Sequence, residues 1–186
     1  MQIKNLSMSF GVQDVFRNAN LNIPDNEKIG LVGVNGAGKT TLFKIMMGLE
    51  YPDSGKISFK KGTRVDWLPQ EITMDVDDLN VNVLDYLLSG RPIDKLNIEL
   101  QNVYDSLSNE NTNQKEAFTK IDTLQKQLDY WDSYNAESTL LKIIDGLNIS
   151  DDILEKNLSE ISGGQKSKVA FAKLLYNNPE ILFLDE

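Results

Sequence analysis

Glycines at 33, 36 and 38 lead directly into Lys39 and Thr40, and the stretch Gly33-Val34-Asn35-Gly36-Ala37-Gly38-Lys39-Thr40 fits G-x-x-x-x-G-K-[ST] at every fixed position. Residues of these types at this spacing can hold a chain of phosphates. The glycines let the backbone curl with its N–H groups pointing inward, where a Cβ would block the approach. Lys39 adds a point charge for the β and γ phosphates of a nucleoside triphosphate, and the Thr40 hydroxyl is placed for a Mg²⁺ ion. Average glycine usage would produce this pattern by accident in on the order of one chain in a hundred of this length. At the other end, the apolar run Ile181-Leu182-Phe183-Leu184 precedes Asp185-Glu186. A buried strand of this form delivers Asp185 to a Mg²⁺ shell and Glu186 to an attacking water, whereas a surface acidic pair after a strand is the plainer alternative. Between them, Ser162-Gly163-Gly164-Gln165 opens an apolar helical stretch. Exposed N–H groups, the helix dipole and the Ser162 hydroxyl make that start either an anion site or a simple N-cap.

These residues need elements to hold them. Lys28 to Val32 reads as a short buried strand ahead of the glycine loop, and Thr41 to Met47 carries helical periodicity behind it. Ile3 to Phe10 and Val15 to Ile23 read as strands separated by turns at Gly11 and at Pro24-Asp25-Asn26, and Lys56 to Phe59 and Arg64 to Leu68 as further strands after a turn at Pro52 to Gly55. The alternating run Lys56 to Arg64 is basic, which fits a solvated sheet face or edge. From about Val81 to Lys156 glycine and proline become scarce and the pattern is helical. Leu96, Leu100, Val103 and Leu107 form one heptad-like stripe, and Ala117, Ile121, Leu124, Leu128 and Trp131 another. The polar stretch from Ser108 to Asn113 joins them, so they form either a short antiparallel hairpin or two ordinary amphipathic helices on a larger core. The whole is an α/β fold. Its expected parts are a core of residues 1–80 and 158–186, with an antiparallel β region at its N-terminal end, and an inserted helical subdomain at 81–157 with the hairpin at about 94–132.

Forty per cent apolar residues in 186, without an uninterrupted run near the ~18 residues of a membrane span, argue for a globular protein that does not insert into a membrane. No signal-peptide pattern opens the chain, so the cytoplasm is expected. The absence of cysteine and histidine excludes disulfides, thiolates and imidazole chemistry, leaving carboxylates, Lys, Gln, Ser, Thr and a phosphate-bound cation. A net charge of −9 disfavours non-specific binding of the whole chain to nucleic acid.

Taken in order, Gly33 to Thr40 as a Walker A loop, Pro69-Gln70-Glu71 as a Q-loop, Ser162-Gly163-Gly164-Gln165 as a signature and Asp185-Glu186 as Walker B resemble an ABC-type ATPase of the P-loop NTPase fold. Phe10, followed by Gly11, resembles the family's aromatic that stacks on adenine, with Phe16 a second candidate. The resemblance implies ATP and Mg²⁺ as ligands. Phe10, Gly33, Asn35, Gly36, Ala37, Gly38, Lys39, Thr40 and Thr41 would contact the nucleotide, and Thr40, Gln70 and Asp185 the metal. Lys39, Gln70 and Glu186 would be catalytic, Glu186 as the general base. Ser162, Gly163, Gly164 and Gln165 would cap a nucleotide on a second, opposing ATPase unit of the same polypeptide.

The long stretch between Gln70 and Ser162, with Asn5 to Gly11, Asn26 to Gly33 and Tyr134-Asn135-Ala136-Glu137, is similar to the ABC-F subfamily. That resemblance implies a ribosome-associated ATPase, a translation factor or antibiotic-resistance protein, whose arm would be the hairpin. An ATPase subunit of a transporter, or a nucleotide-gated binding module that hydrolyses slowly, are the competing readings. A chain stopping at Asp185-Glu186 is expected to be a partial first ATPase unit, with little or no hydrolysis of its own.

Overall fold

The computed structural model describes residues 1–70, 78–108 and 113–185. They fall into two compact units, Met1–Ile72 with Pro179–Glu186, and Thr73–Asn178.

The first unit is built on β1 (Gln2–Phe10), β2 (Gln13–Asn22), α1 (Lys39–Met46), β3 (Ser54–Ser58), β4 (Val65–Leu68) and β5 (Ile181–Leu184). β1 is central in an antiparallel sheet of order β2-β1-β3, while β4 and β5 pair in parallel. Ile3, Leu6 and Met8 supply the buried face of β1. Their spacing is not strictly two, because Asn5 sits at φ 51° and the pairing shifts between Ile3 and Leu6. Asparagine tolerates that left-handed conformation, and the irregularity returns Leu6 to the core. Leu42, Ile45 and Met46 of α1 meet this face together with Phe183 of β5, whose ring lies 5.3 Å from that of Phe43. Burying each such side chain contributes about 1.5–3 kcal/mol. β3 is an edge strand and its Lys56 is exposed, as the basic alternation suggests.

One expected strand is not there. Residues 28–32 form no regular element, and Ile29, Leu31 and Val32 are exposed, Val32 at 95%. A strand exists only through its ladder, and among the described residues none pairs with this segment. An apolar run records that a segment prefers burial, not that a neighbour stands beside it.

The second unit is helical: α2 (Val83–Leu88), α3 (Ile93–Ser106), α4 (Gln114–Tyr130), α5 (Ala136–Gly146), α6 (Asp151–Leu154) and α7 (Gly163–Asn177). Val83, Leu87, Leu140, Ile144, Leu158, Val169 and Ala172 form one core. The two heptad-like stripes form another: Leu96 and Val103 of α3 pack on Ala117, Ile121, Leu124 and Leu128 of α4. Lys120 and Glu99 pair across the helices at 2.8 Å, and Gln125 donates to the Tyr104 hydroxyl at 3.4 Å. The stripes therefore face each other as a hairpin.

At its base lies the one charged side chain buried in this unit among the described residues, Arg91. Its Nε donates to the Tyr176 carbonyl at 2.6 Å, its Nη1 to the Trp131 carbonyl at 2.9 Å, and its guanidinium lies 4.6 Å from the Tyr176 ring centroid. Burial pushes the Tyr176 hydroxyl above its usual range, with the Arg91 charge pulling the other way. Gly90 permits this approach, since a Cβ there would sit 2.9 Å from the Lys173 carbonyl.

Candidate phosphate-binding cleft

The glycine loop runs from residue 33 into α1. Ala37 N–H donates to the Val34 carbonyl at 3.1 Å, and the Lys39 ammonium donates to the carbonyls of Gly33 and Val34 at 2.9 and 3.4 Å. That charge is thus held over the loop by the loop's own backbone. Gly36 and Gly38 both lie at positive φ, 80° and 93°. Gly38 is constrained twice, since a Cβ there would also fall 2.4 Å from Val15 Cγ1. It is the N-cap of α1, which has no side-chain cap and no acidic residue in its first turn. The first intrahelical bond is Leu42 N–H to the Gly38 carbonyl at 2.8 Å. The amides of Lys39, Thr40 and Thr41 precede it, at the positive end of the helix dipole.

These amides border an open cleft of about 460 Å³, lined also by Phe10, Gln13, Val15, Asn35, Gly36, Gly38, Gln70 and Asp185. Cleft size and composition suit a nucleotide-sized ligand. Phe10 is 54% exposed, so it is no core residue, whereas Phe16 packs against the core of the first unit. Asp185, at the end of β5, donates its own N–H to the Leu68 carbonyl at 3.0 Å, is only 5% exposed, and leaves a buried Oδ2 with no hydrogen-bond partner among the described residues. A buried carboxylate oxygen without a donor fits a cation. With the Thr40 hydroxyl in the same cleft, the donor set is all oxygen, which suits Mg²⁺ completed by phosphates and water. No cluster of three or more His, Cys, Asp or Glu able to hold a metal occurs among the described residues.

The other expected site residues lie elsewhere or outside the description. Glu186 falls outside the described residues. Ser162 to Gln165 belong to the second unit, where Ser162 caps α7. Gln165 N–H donates to Ser162 Oγ at 3.3 Å, and the Ser162 N–H donates to Gln165 Oε1 at 2.8 Å, a reciprocal capping box. The Ser162 hydroxyl keeps its own proton for an outside acceptor, while the Gln165 carbonyl is engaged. Gly163 and Gly164 are exposed, with nothing within 4 Å of where a Cβ would stand.

Two cleft residues were not among those expected, Gln13 and Val15. The two-residue turn Gly11-Val12 contained a signal for Gln13, because it makes Phe10 and Gln13 opposed partners across β1 and β2. Val15 had none; its contact with Gly38 is non-local.

Residues 16–186 match the ABC transporter family. The chain is 32% identical to the uncharacterized ABC transporter ATP-binding protein YfmM of Bacillus subtilis, covering 100% of the chain and 36% of that protein. It is 31% identical to the zinc import ATP-binding protein ZnuC of Hydrogenovibrio crunogenus, covering 98% of the chain and 58% of that protein. To the energy-dependent translational throttle protein EttA of Mycobacterium tuberculosis it is 29% identical, covering 99% of the chain and 32% of that protein. The chain thus spans about a third of the length of the first and last of these. Among solved structures, the ATP-binding subunit of an ABC transporter superposes with a TM-score of 0.67 at 18% identity, covering 100% of the chain and 65% of that one. That likeness shows the fold, an ABC-type P-loop NTPase.

Proposed function

The chain belongs to the ABC transporter family of ATP-binding domains, and from that premise we propose that it is part of an ABC-F type ATPase acting on the ribosome. The observation that carries the ribosomal reading is the hairpin of α3 and α4, which buries its stripes in a core of its own. A hairpin closed on itself keeps both outer faces for a partner. The similarity to a protein named a translational throttle supports the same reading.

In the proposed site, ATP places its phosphates on the amides of Gly36 to Thr41, its charge balanced by Lys39. Phe10 stacks on the base. Bound Mg²⁺ would neutralise phosphate charge, held by Thr40 and Asp185, with Gln70 beside it at the cleft wall. Glu186 follows Asp185 and would polarise the attacking water. Ser162, Gly163 and Gly164, with Gln165 fixing the turn, would meet a nucleotide on a second ATPase unit, as the exposed α7 start permits.

The similarity to a zinc import ATP-binding protein favours a second reading, an ATPase subunit that energises transport through a separate membrane subunit. No described helix is long and apolar enough to cross a membrane, so such a partner would supply the spans. Co-sedimentation with ribosomes, using the Glu186→Gln protein with ATP, tests the choice. Nucleotide-dependent pelleting supports the ribosomal role; its absence, with recovery on a membrane subunit instead, replaces it by transport. Phosphate release that is equal for the Glu186→Gln and unaltered proteins would remove Glu186 from the role of base.

A further inference from the structure

Phe10 and Gln13 close the two-residue turn at Gly11-Val12 as directly opposed partners of β1 and β2. Opposed residues of an antiparallel pair project from the same face, with Cβ atoms about 4.5–5.5 Å apart. Both line the cleft that opens over the phosphate loop. An aromatic platform and a primary amide are therefore set side by side in a cleft that Lys39, Thr40 and Thr41 at the start of α1 also line. Gln13 is exposed, and its position in a turn-closing pair gives it no core to fill.

We propose that Gln13 is a specificity residue for the base, reading the 6-amino edge of a purine stacked on Phe10. The inference rests on the nucleotide reading of the cleft and deepens it. A glutamine side chain presents one acceptor and two donors. Its carbonyl accepts from the exocyclic 6-amino group, and its NH₂ donates to a neighbouring ring nitrogen, the bidentate pairing that glutamine makes with adenine. Stacking alone is tolerant of base identity, because every base has a π face. Base choice needs a group beside the platform, and among the cleft-lining side chains Gln13 is the polar one opposed to Phe10.

The test compares binding of ATP, purine riboside triphosphate and inorganic tripolyphosphate to the chain and to its Gln13→Leu variant. Purine riboside triphosphate keeps the stacking ring and lacks the amine, so no rotation of the amide can restore the lost bond. The unaltered chain is expected to prefer ATP over it by about fivefold or more, the lower end for a bidentate amide pair. In Gln13→Leu the two should bind alike, with tripolyphosphate affinity unchanged, a pattern that general damage to the fold would not give. Equal binding of ATP and the analogue by the unaltered chain, or a preference that survives in Gln13→Leu, overturns the role of Gln13 and leaves the phosphate site standing. Failure of both ATP and tripolyphosphate to bind overturns the nucleotide reading and this inference with it.

Discussion

Two helices in this molecule begin at glycine-rich turns that could receive an anion, and they begin in opposite ways. α1 starts from Gly38 in a left-handed conformation, without a side-chain cap. α7 starts from Ser162 and closes a reciprocal capping box with Gln165. An uncapped start leaves its N–H groups to the backbone turn and to whatever binds there. A capped start is satisfied by its own residues, and only what remains over, the Ser162 O–H and the amides flanking Gly163 and Gly164, is open to a ligand. At α1 the shape is in the backbone, and side chains enter only as Lys39 and Thr40. At α7 the shape is in the side chains, and the glycines merely leave room.

The contrast makes unequal predictions for similar substitutions. The largest effect is expected at Gly38. Gly38→Ala meets both a positive φ and Val15 at 2.4 Å, so ATP affinity should fall by at least about 100-fold, with a loss of about 1–3 kcal/mol in stability. Titration with a fluorescent nucleotide and urea unfolding would measure both; near-normal binding would erase the contrast. Next comes Asp185→Asn, which keeps the shape and removes the charge. The gain in ATP affinity on adding Mg²⁺ should drop by about tenfold, as expected when a buried anion no longer pairs with a cation. Isothermal titration with and without Mg²⁺ decides it, and an unchanged Mg²⁺ effect would remove Asp185 from the metal shell. Ser162→Ala should cost about 1 kcal/mol through the lost cap, leaving ATP affinity at the phosphate loop untouched; a change in that affinity would mean the two starts are not separable. Smallest of all, Gly163→Ala has open space around it and places a better helix former in the first turn. Stability should hold or rise slightly by thermal melting, whereas a drop like that at Gly38 would show the α7 glycines to be structural as well.

The sequence makes these two starts unequally legible. At α1 the motif demands glycine at 38, and the structure adds a reason the motif does not contain, the side chain of Val15 arriving from β2. At α7 the pattern of serine followed three residues later by glutamine is itself a capping box, so the engagement of Gln165 could be read locally. The hairpin was half readable: its two stripes of one heptad period could be seen, but that they face each other rather than a larger core is shown only by their packing. What failed was residues 28–32. Their apolar run matches a strand in composition, but pairing is a property of two segments, and a single run cannot report its neighbour. Gln13 escaped notice because its meaning comes from Phe10 across a turn, not from its own type.

Arg91 gives the helical unit a mechanical property. One guanidinium grips the Trp131 carbonyl, just past the end of α4, and the Tyr176 carbonyl, in the last turn of α7. The foot of the hairpin and the tail of α7 are thereby pinned to a single rivet. α4 alone has 17 residues, so at a rise of 1.5 Å per residue the hairpin is a lever about 25 Å long. A tilt of about 5° at the rivet would swing its far end by about 2 Å over that length. A single buried side chain thus ties the foot of that lever to the last turn of α7.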